Sequence, residues 1–266
     1  MKLYNLKLLL IRVLGYEKPL RVAVLKFLTY KFRTFRPHYE TMLFECCAEA
    51  KKLGYREISV LELGVAGGNG IIALDNYKRK LQKHFDLNIR IYGFDTGEGL
   101  LDVSDHRDLP FLWRKGFYSG EKEKLQQKTD SKIFYGDIND TLDEFSRERP
   151  INIMLIIFDM DLYSSTKSFL RQVSRIQEFL CPRVYCYFDD IFTVGRQIDD
   201  TNGELLAIKE FNRENVDIKI GFAFDSINDF KFPLARNSLF TMHHFHHHDY
   251  NKFIGVDDED SLKLSG

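Results

Sequence analysis

The chain has almost no net charge to offer a polyanion. Its 38 Lys and Arg stand against 39 Asp and Glu, a formal charge of -1, so nothing in the overall balance draws it toward nucleic acid, and no nucleic-acid partner is expected. Cysteine is scarce as well. Cys46, Cys47, Cys181 and Cys186 are the only four, and none of their spacings is the C-x-x-C of redox and zinc sites. Reduced, structural thiols and a cytoplasmic setting are the expectation. No run of about 18 apolar residues occurs, which argues against a spanning helix. The patch Leu8-Leu9-Leu10-Ile11 is broken by Arg12 with no cleavage site behind it, which argues against a signal peptide. Internal repeats and low-complexity linkers are absent too.

What remains is ordinary in bulk: 266 residues, 44% hydrophobic and 29% charged, the profile of a globular enzyme with one large α/β domain or two small ones. The 23 Phe predict ring-lined pockets. Charge is unevenly spread. Residues 1–37 hold nine Lys and Arg against the single acid Glu17. Residues 1–38 therefore read as a basic amphipathic helical extension that covers the core or a partner subunit, as in a homodimer, or rests on a membrane surface. Residues 39–250 form the main domain, and 251–266 an acidic tail around Asp257-Asp258-Glu259-Asp260.

From residue 39 helical and strand patterns alternate. Helices are predicted over 39–53, 70–84, 121–127, 140–147, 164–179 and 204–215, and strands over 58–63, 89–94, 132–135, 151–158, 184–188, 218–224 and 238–245. Such alternation predicts a mostly parallel sheet with helices on both faces. "INIMLIIF" (151–158) is apolar but for Asn152, the mark of a central strand buried on both sides. The loop over 97–118 is long for a compact domain and reads as a functional cover.

Several strands stop on charge. "VLELGVAGGNG" (60–70) runs from an apolar strand through Glu62 into Gly64, Gly67, Gly68 and Gly70. Glycines permit a sharp turn and close approach of a ligand, and the following helix offers free N–H groups. Gly68 to Ala73 matches the dinucleotide string G-x-G-x-x-A, but late, and it leaves Glu62 and Gly64 without a purpose. An acid two residues before the first glycine instead suits the cationic amino-acid end of S-adenosylmethionine. A plain βα turn is the third option. Asp95 ends the next strand, where a carboxylate can accept ribose hydroxyls. Asp137 follows the strand after that, where it can meet an adenine edge.

"IIFDMDLYSST" (156–166) and "YFDDI" (187–191) are apolar runs that end on Asp159, Asp161, Asp189 and Asp190. A buried strand cannot continue into a carboxylate without a large desolvation cost, so these acids belong at strand ends. Neighbouring strands set such ends about 5 Å apart, close enough to share one ion. An oxygen-only donor set favours Mg²⁺ or Mn²⁺, which can lower the pKa of a substrate hydroxyl and orient it. Capping of the following helix by Asp161 or Ser164 explains one acid and leaves the rest.

Together "LELGVAGGNG", "YGFDTGEGL", "YGDINDTL", "FDMDLYSST" and "YFDDI" resemble class I S-adenosylmethionine-dependent methyltransferases, closest to the macrocin O-methyltransferase (TylF-like) family, over residues 57–245. The resemblance implies a Rossmann-like seven-stranded sheet with its last strand antiparallel. It implies a divalent-metal-assisted O-methyltransferase acting on a hydroxyl of a sugar or natural-product-like acceptor. Glu62, Gly64, Gly68 and Asp95 would contact the cofactor, with Asp137 near adenine. Asp159, Asp189 and Asp190 would hold Mg²⁺ or Mn²⁺, and Asp159 and Asp161 are the catalytic candidates. The family's Phe-Glu-Gly-Leu-Pro turn is here Gly97-Glu98-Gly99-Leu100-Leu101, followed by an insertion with His106, Arg107 and Trp113 that should shape the acceptor pocket.

"MHHFHHHDY" carries His243, His244, His246, His247 and His248. Strand alternation would put His244, His246 and His248 on one face, where they could bind a transition metal. Solvated or hydrogen-bonded rings are the preferred reading, with an active-site base among them as a further option. Two rivals to the whole assignment remain: a nicotinamide-dependent oxidoreductase on a similar fold, and a non-catalytic methyltransferase-like scaffold.

Overall fold

The computed structural model describes residues 36–191, 198–223 and 238–255. The basic segment through residue 35 and the acids at 257–260 lie outside the described residues. So do residue 224 of the predicted strand 218–224 and the tail from 256 on.

Seven strands form one sheet: β1 (Glu57–Leu63), β2 (Asn88–Asp95), β3 (Lys132–Tyr135), β4 (Ile153–Phe158), β5 (Leu180–Phe188), β6 (Ile218–Phe222) and β7 (Leu239–His244). Their order is β3-β2-β1-β4-β5-β7-β6. The first five pair in parallel, and β7 runs antiparallel to both β5 and β6. The expected seven-stranded sheet with its last strand reversed is thus present. Every residue of β4 is buried, as its unbroken apolar run requires of a strand covered on both faces.

The helices are α1 (Pro37–Leu53), α2 (Asn69–Phe85), α3 (Lys122–Gln126), α4 (Ile138–Arg147), α5 (Tyr163–Arg171) and α6 (Gly203–Glu214). One group packs α1 on α2; the other packs α4 on α5 and α5 on α6. The chain steps one way across the sheet from β1 to β2 and the other way from β4 to β5. Right-handed crossovers therefore place these helix groups on opposite faces. The order reverses between β1 and β4, at whose carboxyl ends an open α/β sheet leaves a crevice.

Most elements shift by one or two residues from their predicted bounds, the 151–158 strand beginning at Ile153 and the 140–147 helix at Ile138, and two depart further. The helix expected over 164–179 ends at Arg171 and continues as a 3-10 segment, Val173–Phe179. The next strand then begins at Leu180 and takes in Pro182. Its pairing with β4 is irregular there, Ile153 facing Leu180 and Leu155 facing Tyr185. Proline has no N–H for the ladder, so the extra residues bulge out.

The main core is lined by β1, β2, β4 and β5 and their helices. A second, small cluster joins Val103, Leu109 and Trp113 of the long loop to Leu162. Cys46, Cys47, Cys181 and Cys186 are free and buried. Among the described residues no helix is long and apolar enough to cross a membrane.

Candidate active site

One row of the sheet positions the site. Phe94 of β2 faces Leu63 of β1, Leu63 faces Phe158 of β4, and Phe158 faces Phe188 of β5. The residues one step beyond this row are Asp95, Gly64, Asp159 and Asp189. Backbone bonds hold the step in place: Gly64 N–H donates to Phe94 O at 2.8 Å and Asp159 N–H to Leu63 O at 2.9 Å. Phe158 and Phe188 stack with centroids 4.2 Å apart beneath their aspartates.

Asp159, Asp189 and Asp190 each bring a carboxylate oxygen within 4.8 Å of the others. At that spacing each ionised pair repels by about 3 kcal/mol at an effective dielectric of ~20. Two further acids crowd the trio. Asp161, 8% exposed, sits at φ 61 and donates its N–H to Asp190 Oδ2 at 3.2 Å. Glu204 of α6, 1% exposed, accepts from Asp190 N–H at 3.3 Å and from Thr166 Oγ1 at 3.4 Å. Burial, then the charges of Asp161 and Asp189, push the Asp190 carboxyl well above its ordinary range. Burial, then Asp190, Asp161 and Asp159, do the same to Glu204. Tyr187 O–H donates to Asp189 Oδ1 at 2.8 Å and its ring lies 5.0 Å from that of His38. A cluster of oxygen donors carrying excess negative charge at a sheet edge fits a hard divalent cation.

The glycine turn lies next to the trio. Gly64 (φ +88) has no room for a side chain, since a Cβ there would fall 1.9 Å from Asp159 O. Glu62, 1% exposed, is wedged under the start of α2, where a Cβ on Gly70 would strike its Oε1 and where a negative charge suits the helix N-terminus. Gly68, in left-handed conformation, is the N-cap of α2. Asp95 is half-buried. Its Oδ2 accepts from Val65 N–H at 2.9 Å and Ala66 N–H at 2.8 Å, and its Oδ1 from Gly97 N–H at 2.5 Å. Two of its roughly four lone-pair sites therefore brace the glycine turn, and a third holds the start of the loop after β2. Gly67 alone in the turn faces open space, with nothing within 4 Å of a Cβ placed on it. Residues 120–125 close over the rest: a Cβ on Gly120 would meet Ala66 O at 2.3 Å, and one on Gly68 would meet Leu125 Cδ1 at 2.1 Å.

Asp137 stands apart from the acids, exposed at the start of α4, where its Oδ1 accepts from Asn139 N–H at 2.8 Å and caps the helix. The cap of α5 differs from the expectation. Its N-cap residue is Leu162, and Ser164 N–H donates to Asp108 Oδ1 at 2.7 Å, so a buried acid from the long loop does what Asp161 or Ser164 was expected to do. Beside it Arg107 donates to Tyr163 Oη at 2.9 Å and pairs with Asp105 at 2.6 Å. The 97–118 loop is thereby fastened to α5, the helix that follows Asp159.

The histidine run is not one strand face. β7 ends at His244, and Phe245 N–H donates to Asp217 O at 3.0 Å as the chain leaves the sheet. His246 and His248 lie in the turns beyond, so alternation past His244 fails for want of a ladder. The run also lies at the sheet edge opposite the acids, because β7 is antiparallel to β5; an active-site base among these rings is excluded by that placement.

Glu204, Asp108 and Tyr187 are not among the predicted site residues; the first two need the packing of α6 and of the long loop, and Tyr187 its bond to Asp189 two residues on.

No known family profile matches the chain, and no curated protein sequence does. Among solved structures it resembles the calicheamicin methyltransferase CalS11, at 20% identity, over 75% of this chain and 87% of that one, with a TM-score of 0.50. It also resembles the O-methyltransferase NovP, at 14% identity, over 77% and 78% of the two chains, with a TM-score of 0.52. With the strand order above, these likenesses establish the class I methyltransferase fold.

Proposed function

We propose that the chain is an S-adenosylmethionine-dependent O-methyltransferase acting on a hydroxyl of a sugar or natural-product-like acceptor, with Asp159, Asp189 and Asp190 holding Mg²⁺ or Mn²⁺. One observation carries the reading: a single sheet row sets the glycine turn and Asp95 directly beside the three carboxylates. Methyl donor and acceptor oxygen must meet in line, and two such sites on adjoining strand tips supply that proximity. The likeness to structures titled methyltransferase and O-methyltransferase supports it.

On this reading Glu62, Gly64, Gly68 and Asp95 shape the donor site, with Asp137 at its adenine end, and the open face of Gly67 admits the ligand. S-adenosylmethionine supplies an electrophilic methyl on a sulfonium, and the divalent ion supplies a Lewis acid that favours the ionised acceptor oxygen. Asp159 orients the acceptor. Asp161 holds Asp190 through its N–H and adds negative charge behind the trio. Tyr187 fixes the rotamer of Asp189. Leu162, Trp113 and the Arg107–Tyr163 contact form the wall that keeps the acceptor in place and water out.

The test is calorimetry with S-adenosylmethionine and with NADH, followed by radiolabelled methyl transfer to a panel of glycosides and phenols with Mg²⁺. Binding of the sulfonium donor in the micromolar range, and transfer lost by about 100-fold or more in Asp159→Asn, is expected. Binding of NADH alone would remove the proposal.

A further inference from the structure

The proposed reaction makes no use of the histidines at the far end of β7. His243 pairs with Arg183 and Leu239 with Tyr187, while β5 ends beside Asp189, so the turn after His244 lies at the other edge of the sheet from the acid trio. In that turn His247, His248 and Asp249 each present a ligand atom, all within 4.8 Å of one another. We propose that His247, His248 and Asp249 bind a borderline divalent cation of the zinc type, at a site distinct from the oxygen-only cluster.

The donor chemistry separates the two sites. Imidazole nitrogen with one carboxylate suits Zn²⁺ and its late first-row neighbours, whereas Mg²⁺ seeks oxygen. The groups are already oriented. Asp249 Oδ2 accepts from Tyr55 O–H at 2.8 Å, the kind of outer support that steadies a ligating carboxylate. His248 Nε2 lies 3.3 Å from Asp249 Oδ2, and the His247 and His248 rings stack at 4.3 Å. His247 Nδ1 accepts from Asp249 N–H at 3.0 Å, so that nitrogen bears a lone pair, which a cation would take in place of the N–H.

His244 borders the site from β7. His244 is 7% exposed, and its buried Nδ1 has no hydrogen-bond partner among the described residues. Its ring lies 5.6 Å from that of His247, and its Nε2 pairs with the Gln177 side-chain amide at 3.0 Å. The amide N–H makes His244 Nε2 the acceptor, so the neutral ring carries its hydrogen on Nδ1 and stands beside the cation site rather than in its donor set. The nearest opposing charge, Arg183, is engaged by Glu49 at 2.8 Å, and His246 is drawn off by Asp217 at 2.9 Å. The cation would tie the turn after β7 to Tyr55, which lies between α1 and β1.

The full-length chain, with Mg²⁺ in excess to fill the acid trio, is titrated with Zn²⁺ by calorimetry and with Co²⁺ by visible absorption. One Zn²⁺ per chain is expected, with intense tetrahedral Co²⁺ bands. His247→Ala and His248→Ala should each weaken Zn²⁺ about tenfold or more, and Asp159→Asn should leave it unchanged. The His248 side chain is 82% exposed, so its variant folds, which circular dichroism checks. Unchanged Zn²⁺ affinity in folded His248→Ala, or Zn²⁺ binding lost in Asp159→Asn, overturns the site. Because the oxygen cluster is tested separately by methyl transfer, failure of one proposal is distinguishable from failure of the other.

Discussion

The backbone N–H of Asp190 donates to the buried carboxylate of Glu204 at 3.3 Å, which ties a strand-tip aspartate to a helix acid fourteen residues later. The bond fixes Asp190 from behind, and it also places one more negative charge where none can be solvated.

That crowding has a pH signature. Asp190 and Glu204 both hold protons more tightly folded than unfolded, so folding takes up protons. The contribution of these two groups to stability is fullest below about pH 4, the ordinary carboxylate range, and is lost as pH rises through the raised folded values. A divalent cation competes with those protons. Mg²⁺ or Mn²⁺ should therefore raise the melting temperature more at pH 8 than at pH 5. Without the cation, Glu204→Gln should melt above wild type at pH 8, by about 2–4 °C per kcal/mol relieved. Differential scanning fluorimetry at the two pH values checks both; equal increments would show that the acids hold no cation.

Two glycines of the turn should behave oppositely. Gly64→Ala puts a Cβ 1.9 Å from Asp159 O at φ +88, which costs stability by about 1–3 kcal/mol or more and displaces Asp159. Gly67→Ala meets nothing within 4 Å, so the melting temperature should hold while donor affinity falls, since the methyl group occupies ligand space. Thermal melts paired with S-adenosylmethionine titrations separate the two; loss of stability in Gly67→Ala would mean that its open face is not a ligand site.

The long loop is held by a cap. Asp108→Ala removes the acceptor for Ser164 N–H and should cost about 1 kcal/mol, while Asp108→Asn, which keeps an oxygen there, should recover most of it. Arg107→Ala frees the loop from Tyr163 and should raise KM for the acceptor more than it lowers kcat. Denaturant melts and steady-state kinetics read these effects. An unchanged KM in Arg107→Ala would place the acceptor away from this wall.

The thiols should be inert in the native protein. All four are buried, and burial pushes the Cys47 thiol up to about 12, leaving almost no thiolate at neutral pH. An aromatic disulfide reagent should label none rapidly at pH 8 and all four after denaturation. A fast-reacting thiol in the folded chain would show that the region opens.

The sequence by itself determined where strands lie and where they must stop. The apolar run that ends at Phe158 reads as a buried strand, which it is from Ile153 on, and Asp159 must stand outside it because a carboxylate cannot share that burial. The same logic found Asp95, Asp189 and Asp190 and the glycine turn; the seven-stranded sheet was implied by the family resemblance, and its order came from the structure. What only the tertiary structure decided is which charges meet. Glu204 reads in sequence as one acid among the first residues of an amphipathic helix; packing of α6 against the segment after β5 makes it a buried neighbour of Asp190. Asp108 reads as a loop acid, yet it caps α5 from across the site. His244, His246 and His248 read as one strand face, and the end of the β7 ladder at His244 instead brought His247 and His248 to Asp249. Local pattern records what each residue does to its own backbone, whereas proximity between distant side chains arises from sheet register and helix packing, which no short stretch of chain encodes.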